Sequence, residues 1–157
     1  MEEKINNALG RLKDLNILIV EPDFSERIKL LKILDQYGLK KRSVYSNIKD
    51  GAQDVLSGHQ YDLIFVSESP EALQCINKMS QLKTAMPIVF VSYGCSMSSA
   101  FKAFEAGAAD VINKPYRIEE VEKLLLASIK IDDFRKDLKL NEYFSFKNQI
   151  FFRLQQA

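Results

Sequence analysis

"MPIVFVSYGCSMSSAFKAFEAGAADVINKP", residues 86 to 115, decides the fold. It opens with "PIVFV" (87 to 91), a short run rich in β-branched residues with no polar position, the pattern of a strand covered on both faces. Ala100, Phe101 and Phe104 then recur at helical spacing, and Gly107 closes that helix. A second short apolar run, "ADVIN" (109 to 113), follows at once. Two buried strands joined by a helix must lie parallel, because the crossover carries the chain back to the starting edge before the second strand begins.

The same unit repeats outward from this stretch. "NILIV" (16 to 20) and "DLIFV" (62 to 66) read as further buried strands, and "RSVYS" (42 to 46) as a weaker one. Ile28, Leu31 and Leu34, with Leu30 and Ile33 beside them, give the first helix an apolar face that Gly38 ends. Val55 and Leu56 mark a second helix closed by Gly58, and Ala72, Ile76 and Met79 a third. A fifth, starting near Ile118, carries Val121, Leu124, Leu125 and Ser128. Five alternations of strand and helix predict an α/β domain with a five-stranded parallel sheet and helices on both faces, a doubly wound (βα)5 fold of strand order 2-1-3-4-5.

Composition agrees with one such domain and narrows what it does. The 157 residues are 46% hydrophobic and 27% charged, enough for a sizeable core. A net charge of +1 gives no bulk basic field for nucleic acid or an anionic membrane. The two cysteines, Cys75 and Cys95, follow no metal spacing, no apolar run is long enough to span a bilayer, and the expected compartment is a reduced cytoplasm.

In a doubly wound sheet, ligands bind beyond the carboxyl ends of the strands. The residues there are Glu21-Pro22-Asp23, Ser67-Glu68-Ser69-Pro70, Ser92-Tyr93-Gly94 and Lys114-Pro115, so carboxylates, hydroxyls and one lysine converge.

With those residues in place, the chain resembles a response regulator receiver domain, a flavodoxin-like fold, over roughly residues 15 to 130. "LNILIVEPDFSERIKLLKIL" resembles the family's first strand, acidic cluster and first helix. "YDLIFVSESP" resembles its third strand and phosphorylation loop, and "PIVFVS" with "GAADVINKP" is the distinctive part. The resemblance places Glu21 at the first acidic position, Ser92 at the conserved hydroxyl, and Lys114-Pro115 at the lysine–proline pair, whose peptide bond in the family is usually cis. It places Pro22 at the second, magnesium-ligating acid, Ser67 at the phosphoacceptor aspartate, and Val111 at the aromatic switch residue. The loop after Ser67 is one residue shorter than the family pattern. All three replacements fall on the phosphorylation machinery.

Their chemical consequence is direct. Magnesium is held by carboxylate oxygens, and Pro22 has none while Ser67 has only a neutral hydroxyl. A serine nucleophile needs an adjacent base, and the only histidine, His59, reads as an exposed residue in a turn before the third strand. The expectation is therefore a pocket without metal, cofactor or enzymatic activity. The alternative is a seryl phosphoacceptor, with Glu21 or Glu68 as base for Ser67. A third reading, a small-molecule-binding flavodoxin-like domain, lacks a glycine-rich phosphate loop. Lys114, deprived of an aspartate partner, is expected either to pair with Glu21 or Glu68 or to turn toward solvent.

A receiver without phosphotransfer still has surfaces. The resemblance implies homodimerisation through the fourth predicted helix, the fifth strand and the fifth predicted helix, where Lys102, Asp110 and Glu120 match positions of charge pairs and Leu124 replaces an arginine. Docking to another signalling protein is the alternative partner. Residues 1 to 15 form an N-terminal extension in which Ile5, Ala8, Leu9 and Leu12 keep helical spacing, interrupted by Gly10. Residues 16 to 130 form the domain. In residues 131 to 157, Ile131, Phe134 and Leu138 prolong the last helix, and Phe144, Phe146, Ile150, Phe151 and Phe152 flank Lys147-Asn148 like a hairpin, or like the opening of a DNA-binding effector domain cut short. Contact with DNA is expected only through such a domain.

Overall fold

The computed structural model describes residues 2–82 and 86–137, and the aromatic stretch around 144–152 lies outside the described residues, as do Leu138 and the side chains of Ile5 and Phe134. Five strands, β1 (Ile17–Val20), β2 (Arg42–Tyr45), β3 (Leu63–Ser67), β4 (Ile88–Ser92) and β5 (Asp110–Asn113), form one parallel sheet in the order β2-β1-β3-β4-β5. The helices are α1 (Glu2–Arg11), α2 (Phe24–Gln36), α3 (Ile48–Leu56), α4 (Ala72–Ser80), α5 (Met97–Ala106) and α6 (Ile118–Asp137). None is long and apolar enough to cross a membrane.

Alternation along each strand divides the core in two. Ile17, Ile19, Leu63, Phe65, Val89 and Val91 face a cluster built with Leu30 and Leu34 of α2 and Val121, Leu124 and Leu125 of α6. Leu18, Val20, Ile64, Val66, Ile88 and Phe90 face the other, built with Val55 of α3, Ile76 and Met79 of α4 and Ala103 of α5. Burial of each such side chain contributes about 1.5–3 kcal/mol. Leu12 and Leu15, which lead from α1 into β1, are buried in the first cluster beside Ile129 and Ile131 of α6.

Three expectations about side-chain direction are corrected. Phe101 and Phe104 point outward, 63% and 44% exposed, and Leu56 is 41% exposed. The helix α5 covers the edge of the sheet with Ala103 as its buried contact, and so small a residue lets the helix lie close while its bulky neighbours face away. Leu124, assigned to a dimer face, is fully buried: it shares the stripe of Val121, Leu125 and Ser128 that α6 turns toward the sheet. At the end of α5, Gly107 adopts φ 118, and a Cβ there would stand 2.3 Å from the Ser80 hydroxyl, which donates to Ala106 O at 3.0 Å.

Candidate functional site

Strand register brings the predicted residues together. Val20 lies opposite Val66, so the next residues on the two neighbouring strands are Glu21 and Ser67. Ser67 lies opposite Val91, so the next pair is Glu68 and Ser92, and Ser92 lies opposite Asn113, which precedes Lys114. The Ser67 hydroxyl donates to Glu21 Oε1 at 2.8 Å. Lys114 Nζ donates to the same oxygen. This ion pair is almost wholly enclosed, with side-chain exposures of 4% for Lys114 and 2% for Glu21. Of the alternatives open to Lys114, the structure selects Glu21. The Ser92 hydroxyl donates to Glu68 Oε2 at 2.6 Å, a length typical of a charge-assisted bond.

The β1–α2 turn is shaped by its own caps. Asp23 caps α2 by accepting from Glu26 N at 3.1 Å, and its own amide donates to Glu21 Oε2 at 3.3 Å. Arg27 reaches back to Glu21 O at 2.8 Å. Pro22 is exposed and lines a cleft of about 310 Å³ with Ser46, Asn47, Ile48, Lys49, Ser69, Pro70 and Glu71, outside the polar pocket. The Lys114–Pro115 bond is cis.

Three residues complete the pocket: Glu26 and Tyr116, which escaped the sequence reading, and Tyr93, which it placed in the loop after the fourth strand without a role. Tyr93, next to Ser92, lays its ring 4.7 Å from Lys114 Nζ. The neighbouring Glu26 carboxylate pushes the Tyr93 phenol up to about 12. Burial by itself would raise the Glu26 carboxyl, but the hydrogen bond from Lys29, at 2.9 Å, and the neighbouring Tyr93 phenol outweigh it and hold the group below its ordinary value. Tyr116, two residues after Lys114, is pushed well above the phenol range by burial and then by the Glu21 charge, an effect that neighbouring Ser67 opposes. The Asp23-x-x-Glu26 spacing is a capping-box signature that could have flagged Glu26, although its side chain turns to Lys29 and Tyr93 instead of back to the cap.

The donor set does not fit magnesium. Glu21 is the one carboxylate at the tip of β1 facing Ser67, and its Oε1 already neutralises Lys114 and accepts from Ser67. Pro22 adds no oxygen from its side chain, and Asp23 is committed to the α2 cap. Among the described residues no group of three or more His, Cys, Asp or Glu side chains gathers as a metal site.

The sequence matches the model of the response regulator receiver domain over residues 17–126, well over half of its length. The chain belongs to the response regulator receiver family. As a receiver it is a signal-transduction module. Its fold is similar to a two-component response regulator from Clostridium difficile, at 24% identity and TM-score 0.65, covering 74% of this chain and 96% of that one. It is also similar to an orphan response regulator of H. pylori, at 26% identity and TM-score 0.60, covering 74% and 93%. NtrX from Brucella abortus, solved in complex with ADP, is similar at 22% identity and TM-score 0.63; 78% of this receiver is covered but only 29% of that protein's length. No curated protein matches the sequence.

The remaining family positions fall around this receiver's pocket and its α5 side. Val111 is half-buried against the α3–α5 core cluster. Lys102 is exposed, while Asp110 and Glu120 are half-buried. Asp110 Oδ1 accepts from Val111 N at 2.8 Å, and Glu120 lies 3.8 Å from Arg117. His59, an exposed turn residue, nevertheless sits 2.6 Å from Asp54 through Nδ1.

Proposed function

We propose that this receiver acts independently of phosphorylation, as a regulatory module that associates through the face formed by α5, β5 and α6. The observation that carries this reading is the sharing of Glu21 Oε1 between Lys114 and Ser67. In a phosphotransfer pocket the lysine neutralises charge on the acceptor, and a metal neutralises the incoming phosphoryl group. Here the lysine is neutralised internally and the residue at the acceptor position is a 2% exposed serine hydroxyl, already donating its proton to that carboxylate. Catalysis is not part of the proposed role.

The associating surface is supported by what α5 exposes. Met97, Phe101 and Phe104 stand at i, i+4 and i+7, 90%, 63% and 44% exposed, a stripe of the kind that marks interfaces. Lys102 lies beside the stripe, and Asp110 and Glu120 carry the opposite charge on β5 and α6. Opposite charges around one apolar stripe suit an isologous homodimer, in which each copy's lysine meets the other's carboxylates. Leu124 takes no part, being buried within the monomer.

Two measurements test the proposal together. Intact mass after incubation with a small phosphodonor and magnesium is expected to stay unchanged, and sedimentation is expected to give the same assembly with and without them. An added phosphoryl group, at Ser67 or elsewhere, overturns phosphorylation independence. Phe101→Glu is expected to weaken association while leaving the urea midpoint in place, and an unchanged sedimentation profile for that variant removes the α5 surface from the proposal.

A further inference from the structure

The pocket contains a second internal anion, and its position gives it a different task from Glu21. Glu68 follows Ser67 directly, and the parallel register sets it beside Ser92. Its backbone N–H donates to Val91 O at 2.8 Å while its carboxylate accepts from the Ser92 hydroxyl at 2.6 Å, so main chain and side chain both bind the end of β4. Ser92 is 2% exposed, yet Glu68 lies at the solvent rim.

From Ser92 the chain runs straight to α5. Ser92 O accepts from Lys114 N at 2.7 Å, the ring of Tyr93 stands over Lys114, Gly94 turns at φ 59, and Cys95 N donates to Asn113 Oδ1 at 2.9 Å. Ser96 then caps the helix, accepting from Ser99 N at 3.1 Å. The other hydrogen bonds of this loop join it to β5 or Lys114, and Tyr93 also approaches Glu26 of α2. The Glu68–Ser92 bond joins it to the loop after β3.

We infer that the Glu68–Ser92 hydrogen bond is a built-in latch, a permanent carboxylate that holds the β4–α5 loop, and with it the exposed Met97-Phe101-Phe104 stripe, in one arrangement. The inference rests on the phosphorylation-independent reading. In a pocket awaiting a phosphoryl group the Ser92 hydroxyl would have no anion until transfer occurred. Here the chain's own Glu68 carboxylate occupies that hydroxyl, at a 2.6 Å length typical of a charge-assisted bond. At the rim, the latch shares no hydrogen bond with the buried Glu21–Lys114 pair.

Amide hydrogen exchange on the full chain tests the latch with Glu68→Ala, Ser92→Ala and the double variant. Each single change is expected to speed exchange over residues 93–100 by about tenfold, the order expected when a charge-assisted hydrogen bond is lost, with α3 unaffected. The double variant is expected to match the larger single effect, because both changes delete one bond. Glu68→Ala alters a rim residue and preserves the core, so it reports even should Ser92→Ala fold poorly. Unchanged exchange over 93–100 in Glu68→Ala, or effects that multiply in the double variant, overturns the latch. A mass gain with phosphodonor sinks the phosphorylation-independent reading instead, and leaves the exchange result to judge the latch separately.

Discussion

Replacing Lys114 with Met tests the buried pair at the heart of the pocket. Methionine keeps the apolar stem of the side chain and deletes the charge, so the change isolates the ammonium. What remains is Glu21, 2% exposed, with the Ser67 hydroxyl at 2.8 Å and the Asp23 amide at 3.3 Å as its surviving donors. Two donors do not replace a cation at a site closed to water. Removing one partner of a buried ion pair costs about 3–5 kcal/mol, chiefly the penalty of the orphaned charge. For a chain of this size each kcal/mol moves the melting temperature by roughly 2–4 °C, so a fall of about 10 °C is expected in a calorimetric or fluorescence melt. Glu21→Gln should cost a similar amount by stranding Lys114. The combination of both substitutions should recover most of the loss, since no uncompensated charge is left. Added salt should not close the gap, because an enclosed pair is little screened. A Lys114→Met protein melting within about 1 °C of the parent would refute the reasoning, for it would mean that the lysine is solvated and Glu21 has other support.

Two further expectations follow from burial and hydrogen bonding elsewhere. Leu124→Ala should cost about 2–5 kcal/mol in urea unfolding, with association at matched folded fraction unchanged; a selective loss of association would return Leu124 to the interface. Asp54, 7% exposed at its side chain, accepts from Tyr45, from Tyr61 at 2.9 Å and from His59 at 2.6 Å. Burial opposes its ionisation, but those three hydrogen bonds prevail and hold its carboxyl below the ordinary aspartate value. Its contribution is therefore present above the unfolded-state aspartate pKa, near 3.9, and is lost as pH falls through the lower folded value. Asp54→Asn should accordingly narrow the difference between urea midpoints at about pH 7 and about pH 3, and a difference as wide as the parent's would count against the cluster.

How far the sequence reaches is clearest at β3 and β4. "LIFV" and "PIVFV" announced doubly covered parallel strands because they carry no polar side chain. That inference needs only local chemistry. Periodicity faltered at α5, where Phe101 and Phe104 look like core residues until the helix is seen resting on Ala103. Leu124 failed in the opposite sense, since a family position suggested exposure while its own stripe demanded burial.

Strand pattern was thus enough to specify a five-stranded doubly wound domain, and the resemblance of its motifs to a receiver placed a neutral hydroxyl at the acceptor position. Only the folded chain decided that Lys114 goes to Glu21, ninety-three residues away, and that Ser92 goes to Glu68. The reason is register: pairing Val20 with Val66 and Ser67 with Val91 sets those side chains shoulder to shoulder, and no spacing along the chain records which strands become neighbours.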